Sequence, residues 1–318
     1  MKKIAFVCPY FGKLPLNQMK LWLQSCEKNP TIDWIIFTDD DADLKYPKNV
    51  KVNKISFENI KEYIQKKFEF KIELNSPYKL CDFKPTYGYV FSEYIENYDF
   101  WGYCDMTDCI FGNIRHFITD AMLIENDKIG FLGHLTLYKN CKDVNERFML
   151  KTNSKVELRD ILGNKENKAF DELNEYSINT IYNEYGYNWK RIDEMYVDIS
   201  PMKYSFQAAC YDDKFNLFYK KNEAMIFEWN NGSLYECVIE GNKINKREIM
   251  YVHFQKRHMQ KLFDKKVERY YIVSNKFICD INLNDSKELK KITRNRIYLT
   301  AIKLKMKSLK YRIMHLMD

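Results

Sequence analysis

Two carboxylates, Asp105 and Asp108, close a run whose first part, Phe100-Trp-Gly-Tyr103, reads as a buried strand. Acids at the carboxyl end of a strand lie where a largely parallel α/β sheet opens its ligand crevice. Carboxylate oxygens suit Mg²⁺ or Mn²⁺, and such an ion bridges two phosphates and stabilises a departing diphosphate. Spacing restricts the idea. Strand positions i and i+2 share a face, whereas i and i+3 do not, so the pair converges only if the chain turns between them. Gly112 and Asn113 just beyond favour a turn. A solvated loop or a helix cap would use the same two acids.

Three other segments carry usable chemistry. Tyr251-Val-His253-Phe-Gln-Lys256-Arg257-His258 holds two of the five histidines. His253, in an apolar strand-like run, could lend an imidazole to a metal, and Lys256 and Arg257 could hold diphosphate oxygens. A hydrogen-bonded histidine beside a solvated basic cluster is the plainer alternative. In Tyr78-Lys-Leu-Cys-Asp82-Phe-Lys84-Pro-Thr-Tyr87-Gly88, Asp82 and Lys84 flank a pre-proline turn into a helix whose N-terminus favours an anion. Capping and a surface ion pair compete with that reading. Asp171 and Glu172 are adjacent acids able to take a proton from an acceptor hydroxyl.

The elements that must position these groups alternate in the first half. Ile4–Cys8 and Trp34–Phe37 read as strands buried on both faces, and Val50–Ile55 as a third. Further strands are expected at Phe100–Tyr103 and Ile129–Leu132. Helices are expected over 18–26, 57–67 and from Pro85 to about Tyr94. The pattern predicts a largely parallel α/β sheet flanked by helices. Beyond it, helices are expected over 143–151 and 169–184. Strands follow at 216–220, 224–229 and 234–239, with Asn230-Asn231-Gly232 as a hairpin turn, and two short ones at 270–273 and 277–281. One catalytic domain over 1–285 and a C-terminal extension over 286–318 is the expected organisation.

The 318 residues are 46% apolar and 30% charged, a globular composition. The net charge of +7 is uneven: residues 290–318 carry nine Lys or Arg and one acid, leaving −1 for the rest. Leu299, Ile302, Met306, Leu309, Ile313 and Leu316 repeat at 3 and 4, an amphipathic helix with a basic face. Such a stripe suits an anionic membrane surface, the protein's own core or a second subunit. Nucleic acid is not an expected partner, because the remainder offers no basic platform. The nine cysteines contain no CxxC pair, and contexts such as Phe277-Ile278-Cys279 read as reduced core thiols, which favours the cytosol. The apolar run after Met1-Lys2-Lys3 is too short for a signal peptide, and no stretch reaches the ~20 apolar residues that span a bilayer.

Taken in order, several segments resemble bacterial capsular and lipopolysaccharide glycosyltransferases of the GT-A fold. They are Val7-Cys-Pro-Tyr-Phe-Gly12, Phe37-Thr-Asp-Asp40, Lys79–Gly88, Trp101–Gly112, Gly130-Phe-Leu-Gly-His134, Ala169-Phe-Asp-Glu172 and His253–Arg257. The resemblance implies a Rossmann-type mixed sheet and a metal site of the DxD kind, formed by Asp105 and Asp108 with His253 as third ligand. The usual Asp-x-Asp stands here as Asp-x-x-Asp, which leaves the metal geometry open. It also implies that Pro9, Tyr10, Phe11, Thr38 and Asp39 border the nucleotide, and that Asp82 and Lys84 lie near the donor sugar or diphosphate. Asp171 or Glu172 would face the acceptor. The expected reaction moves a sugar from a nucleoside-diphosphate sugar, a UDP-sugar first, to a glycan or glycolipid acceptor, with Mn²⁺ or Mg²⁺. The expected location is the cytoplasm, peripheral at the inner membrane surface. A metal-dependent nucleotidyl or phosphoryl transferase and a non-catalytic membrane scaffold are the alternatives, and no P-loop supports the former.

Overall fold

The computed structural model describes residues 1–220, 224–240 and 243–314. The protein is mixed α/β and divides into two compact units, Met1–Thr107 with Arg115–Ile192, and Asp108–Ile114 with Asp193–Asp318. The second unit includes a short segment that lies within the first in sequence.

The first unit is built on a seven-stranded sheet. Its strands are β1 (Ile4–Pro9), β2 (Ile32–Thr38), β3 (Val50–Lys54) and β4 (Phe100–Cys104), then, after β5 (Cys109–Phe111) of the other unit, β6 (Lys128–Leu132), β7 (Leu135–Lys139) and β8 (Trp189–Lys190). The order is β3-β2-β1-β4-β7-β6-β8. β1 pairs in parallel with both β2 and β4, while β7 runs against both its neighbours. The order therefore reverses at β1, which makes the carboxyl ends of β1 and β4 a topological switch point.

The strand pattern follows from cover on both faces. Ala5 and Val7 share an apolar cluster with Ile35, Phe37, and Ile60 and Ile64 of the helix Phe57–Gln65. On the opposite face Phe6 stacks on Trp34, which meets Trp22 of the helix Leu16–Glu27 edge-on. The helix expected after Pro85 is present as short helical segments, Lys84–Thr86, Tyr87–Val90 and Ser92–Ile95. Pro85 sits in a first turn, where its missing N–H costs nothing, and the break comes at Phe91. Gly88 sits so close to the Trp101 ring that a Cβ there would meet it at 2.3 Å.

The second unit has two sheets. The first contains β5, β9 (Tyr196–Ile199), β10 (Ala208–Tyr211) and β11 (Leu217–Tyr219). The second contains β12 (Ala224–Asn230), β13 (Ser233–Glu240) and β14 (Lys243–Ile249). β15 (Tyr251–His253) lies in the first sheet between β9 and β5. β16 (Gln260–Lys261), β17 (Arg269–Val273) and β18 (Lys276–Ile278) complete the second. The hairpin expected at Asn230-Asn231-Gly232 is present, with φ of 47° at Asn231 and 98° at Gly232, as a primed two-residue turn requires. The basic segment forms two helices, Ser286–Thr293 and Leu299–Met314. The first is part of the unit, since Leu289 joins a buried cluster with Ile226, Tyr271 and Val273. Cys279, expected in the core, is exposed, because the strand before it ends at Ile278. Among the described residues no helix is long and apolar enough to cross a membrane.

Candidate functional site

In the first unit, Asp105 is the first residue past β4, and strand alternation puts it on the same face as Tyr103. The Lys84 ammonium donates to Asp105 Oδ1 at 2.8 Å and to the Gly133 carbonyl at 2.7 Å. It also lies 3.5 Å from Asp171 Oδ2 and 5.6 Å from the centre of the Tyr103 ring. Lys84 and Asp171 are buried, whereas the Asp105 side chain is 33% exposed and forms the outward end of the group. Burial alone would lower the Lys84 pKa, but the facing carboxylates outweigh it and hold the amine well above its ordinary value. For Asp171 the balance goes the other way. Burial pushes its carboxyl up to about 7, against the pull of Lys84 and with added repulsion from Glu172, Asp105 and Asp82. A carboxyl with that pKa exchanges its proton near neutrality.

The segment presenting Asp171 is held from below by Asp82. This fully buried carboxylate meets Lys79 Nζ at 2.6 Å and accepts from the N–H groups of Lys168 and Phe170 at 2.8 and 3.2 Å. Lys79 in turn donates to the carbonyls of Ile161 and Glu166. Between the clamped N–H groups, Ala169 takes a φ of 51°. That conformation breaks the helix expected over 169–184, which survives only as Ile178–Glu184. Gly133 completes the fit: a Cβ on it would come within 2.2 Å of Asp171 Oδ2.

In the second unit, the register sets His253 opposite Cys109 and opposite Asp198 of β9. His253 Nδ1 and Asp198 Oδ1 are 2.8 Å apart, and Gln255 Nε2 donates to Asp198 Oδ2 at 2.7 Å. Asp108, just before β5, accepts the Phe254 N–H on its carbonyl at 2.7 Å, so Asp108 and His253 are neighbours across the β5–β15 pair. A carboxylate that fixes one imidazole nitrogen is the usual support of a metal-binding histidine.

Residues 6–281 match the family of unknown function DUF6625. The chain belongs to that family. No curated protein matches it.

The residues singled out in this DUF6625 member fall into two groups. Pro9, Tyr10, Phe11, Thr38, Asp39, Asp82, Lys84, Asp105, Asp171 and Glu172 are in the first unit, and Asp108, His253, Lys256 and Arg257 in the second. The loops after β1 and β2 are tied together, with Tyr10 N donating to the Phe37 carbonyl and Gly12 N to Asp39 Oδ1, both at 2.8 Å. Phe11 is buried and packs edge-on against Phe57, and Thr38 is buried at the end of β2. Glu172 and Lys256 are exposed. Asp82 is sealed in the clamp just described. Arg257 is likewise engaged within the protein. Its guanidinium donates to the carbonyls of Ser200 at 2.7 Å and Tyr204 at 3.0 Å, and to Asn275 Oδ1 at 2.9 Å. Its burial lowers the pKa to about 10. The turn between Asp105 and Asp108 is made by Thr107 with a φ of 67°, while Gly112 continues the sheet and donates to the Met250 carbonyl. Asp198 was not anticipated; the available signal was a single acid inside the apolar strand Tyr196-Val-Asp-Ile199.

Proposed function

We propose that the protein is a glycosyltransferase that moves a sugar from a nucleoside-diphosphate donor to a hydroxyl of a glycan or glycolipid. The observation that carries this reading is the group Asp105–Lys84–Asp171 at the switch point of a mostly parallel sheet. Ligands of such sheets bind outside the carboxyl ends of the strands at that point. The loops after β1 and β2 lie at the same carboxyl edge and would border the nucleotide. Asp171 would take the acceptor proton, since burial raises its pKa to about 7 and Lys84 stabilises the carboxylate once formed. Glu172, exposed beside it, would contact the acceptor.

A divalent ion would neutralise the diphosphate as it departs. Asp108 and His253, neighbours across the β5–β15 pair of the second unit, are the residues proposed to hold it. The donor chemistry fits, because Asp198 favours the tautomer with a proton on Nδ1 and the lone pair on Nε2. Arg257 and Asp82 are assigned support of the 200–205 and 161–170 segments and not ligand contact.

The test incubates the purified protein with UDP-, GDP- and CDP-sugars, with and without Mn²⁺, and identifies the nucleotide released. Metal-dependent release of a nucleoside diphosphate, lost in Asp105→Asn and Asp171→Asn, is expected. Release of pyrophosphate would favour nucleotidyl transfer instead. No turnover and no stabilisation of the fold by any nucleotide would end the enzymatic reading.

A further inference from the structure

The sequence left three covers open for the C-terminal stripe: the protein's own core, a second copy, or a lipid surface. For the described part of the stripe, Leu299 to Leu309, the structure removes the first. Leu299, Ile302, Met306 and Leu309 are 68%, 45%, 57% and 59% exposed, and Ile297 just before them is 87% exposed. The helix Leu299–Met314 buries Ala301 and half-buries Leu304, which lie off the stripe. Of the other two stripe residues, Leu316 and the Ile313 side chain fall outside the described atoms.

Beside this apolar strip lies a basic hollow of about 750 Å³ lined by Lys287, Lys290, Lys291, Arg294, Asn295 and Arg296. Its backing is firm. Asp285 caps the helix Ser286–Thr293 by accepting from the N–H groups of Lys287 and Glu288, and Leu289 anchors that helix in the core. The chain between the helices is held as well. Asn295 Oδ1 accepts from Tyr204 N and Ser205 N at 3.2 and 3.3 Å, and Tyr298 meets Tyr204 edge-on. The Arg257 guanidinium fixes the 200–205 carbonyls from within. Cations and exposed apolar side chains are thus held in fixed places, and no acid lines the hollow.

We propose that this surface docks the protein on an anionic lipid bilayer, the basic hollow meeting headgroups and the strip Ile297–Leu309 entering the acyl boundary. Charge complementarity chooses the occupant. A second copy docked symmetrically through this face would bring two strongly cationic surfaces together. A nucleic-acid backbone would satisfy the cations and leave the apolar side chains in water. An interface of headgroups over acyl chains satisfies both.

Co-sedimentation of the full-length protein with vesicles of phosphatidylcholine, alone or mixed with phosphatidylglycerol, tests this. Binding to the mixed vesicles, falling with added salt and absent on phosphatidylcholine alone, is expected. Each of Lys290→Gln, Lys291→Gln and Arg294→Gln should weaken it roughly fivefold. Ile302→Asp with Met306→Asp should abolish it at low salt while leaving thermal unfolding unchanged, since both side chains are exposed. Equal partition onto neutral vesicles, or none onto anionic ones, would overturn the proposal from the wild-type protein alone. Self-association in solution, or tight RNA binding indifferent to the Asp substitutions, would overturn it in favour of a second copy or a polyanion.

Discussion

Lys84 sits between two acids of different exposure, and that asymmetry gives the first unit its chemistry. Replacing it with Met would leave Asp171 buried beside Asp105 with no cation, and about 3 kcal/mol of stability should be lost. The figure is at the low end for a buried pair because Asp105 is one-third exposed. Denaturant unfolding at pH 8 measures it, and a smaller loss is expected at pH 5. The sign follows from Asp171. Its folded pKa of about 7 lies above the unfolded value of about 3.9, so the native state holds the extra proton between those limits. Its contribution is fully present below pH 4 and is lost as pH rises through 7, with a slope of at most about 1.4 kcal/mol per pH unit. Asp171→Asn should flatten that slope, and stability curves at several pH values would show whether it does. Asp171 was legible from the sequence as one of two adjacent acids; its environment was not, because Lys84 and Gly133 come from distant segments. Asp198 escaped notice because a single acid in a strand has no local signature. Its replacement by Asn should weaken Mn²⁺-dependent nucleotide binding about 10- to 100-fold, if His253 holds the metal.

The elements around the site show which local patterns survive folding. β1 and β2 were readable because continuous apolar runs suit strands covered on both faces, and the β12–β13 hairpin because Asn231-Gly232 demands its turn. The stretch from Pro85 to Tyr94 is helical as expected but broken into short segments, and Ala169 to Ser177, expected to be helical, is not, for tertiary reasons. One must seat Gly88 against Trp101, and the other must offer its N–H groups to Asp82. Asp82→Asn would remove the charge facing the buried Lys79 ammonium, costing about 3–5 kcal/mol and loosening the 161–170 segment. Limited proteolysis should then cut near the exposed Lys165 faster than in the wild type. Gly133→Ala tests the same architecture from the other side. Its methyl group would occupy the place of Asp171 Oδ2, so it should displace the carboxylate and reduce turnover more than stability. Turnover that survives Gly133→Ala unchanged would remove Asp171 from the proposed reaction.

At the scale of the whole chain, the sequence drew one boundary, at residue 285, from composition alone. That boundary marks the change from a neutral body to a basic segment. The helix Ser286–Thr293 belongs to the second unit through Leu289, which is 3% exposed, while its lysines face outward. Charge was visible in the sequence because it sums locally. The division at Thr107, Ile114 and Ile192 was not, because β5 joins the second unit through distant partners, above all β15 some 140 positions away. Packing and charge can be separated by two truncations. A chain ending after Tyr298 retains Leu289 and loses the helix Leu299–Met314, which among its described side chains buries Ala301 and part of Leu304. Its stability in denaturant should stay within about 1 kcal/mol of the full chain. A chain ending after Asp285 also loses Leu289 and exposes the faces of Tyr271 and Val273, so it should fall by at least about 2 kcal/mol more. Equal stability of the two truncations would mean that the first basic helix, like the second, contributes little to the fold and serves the surface alone.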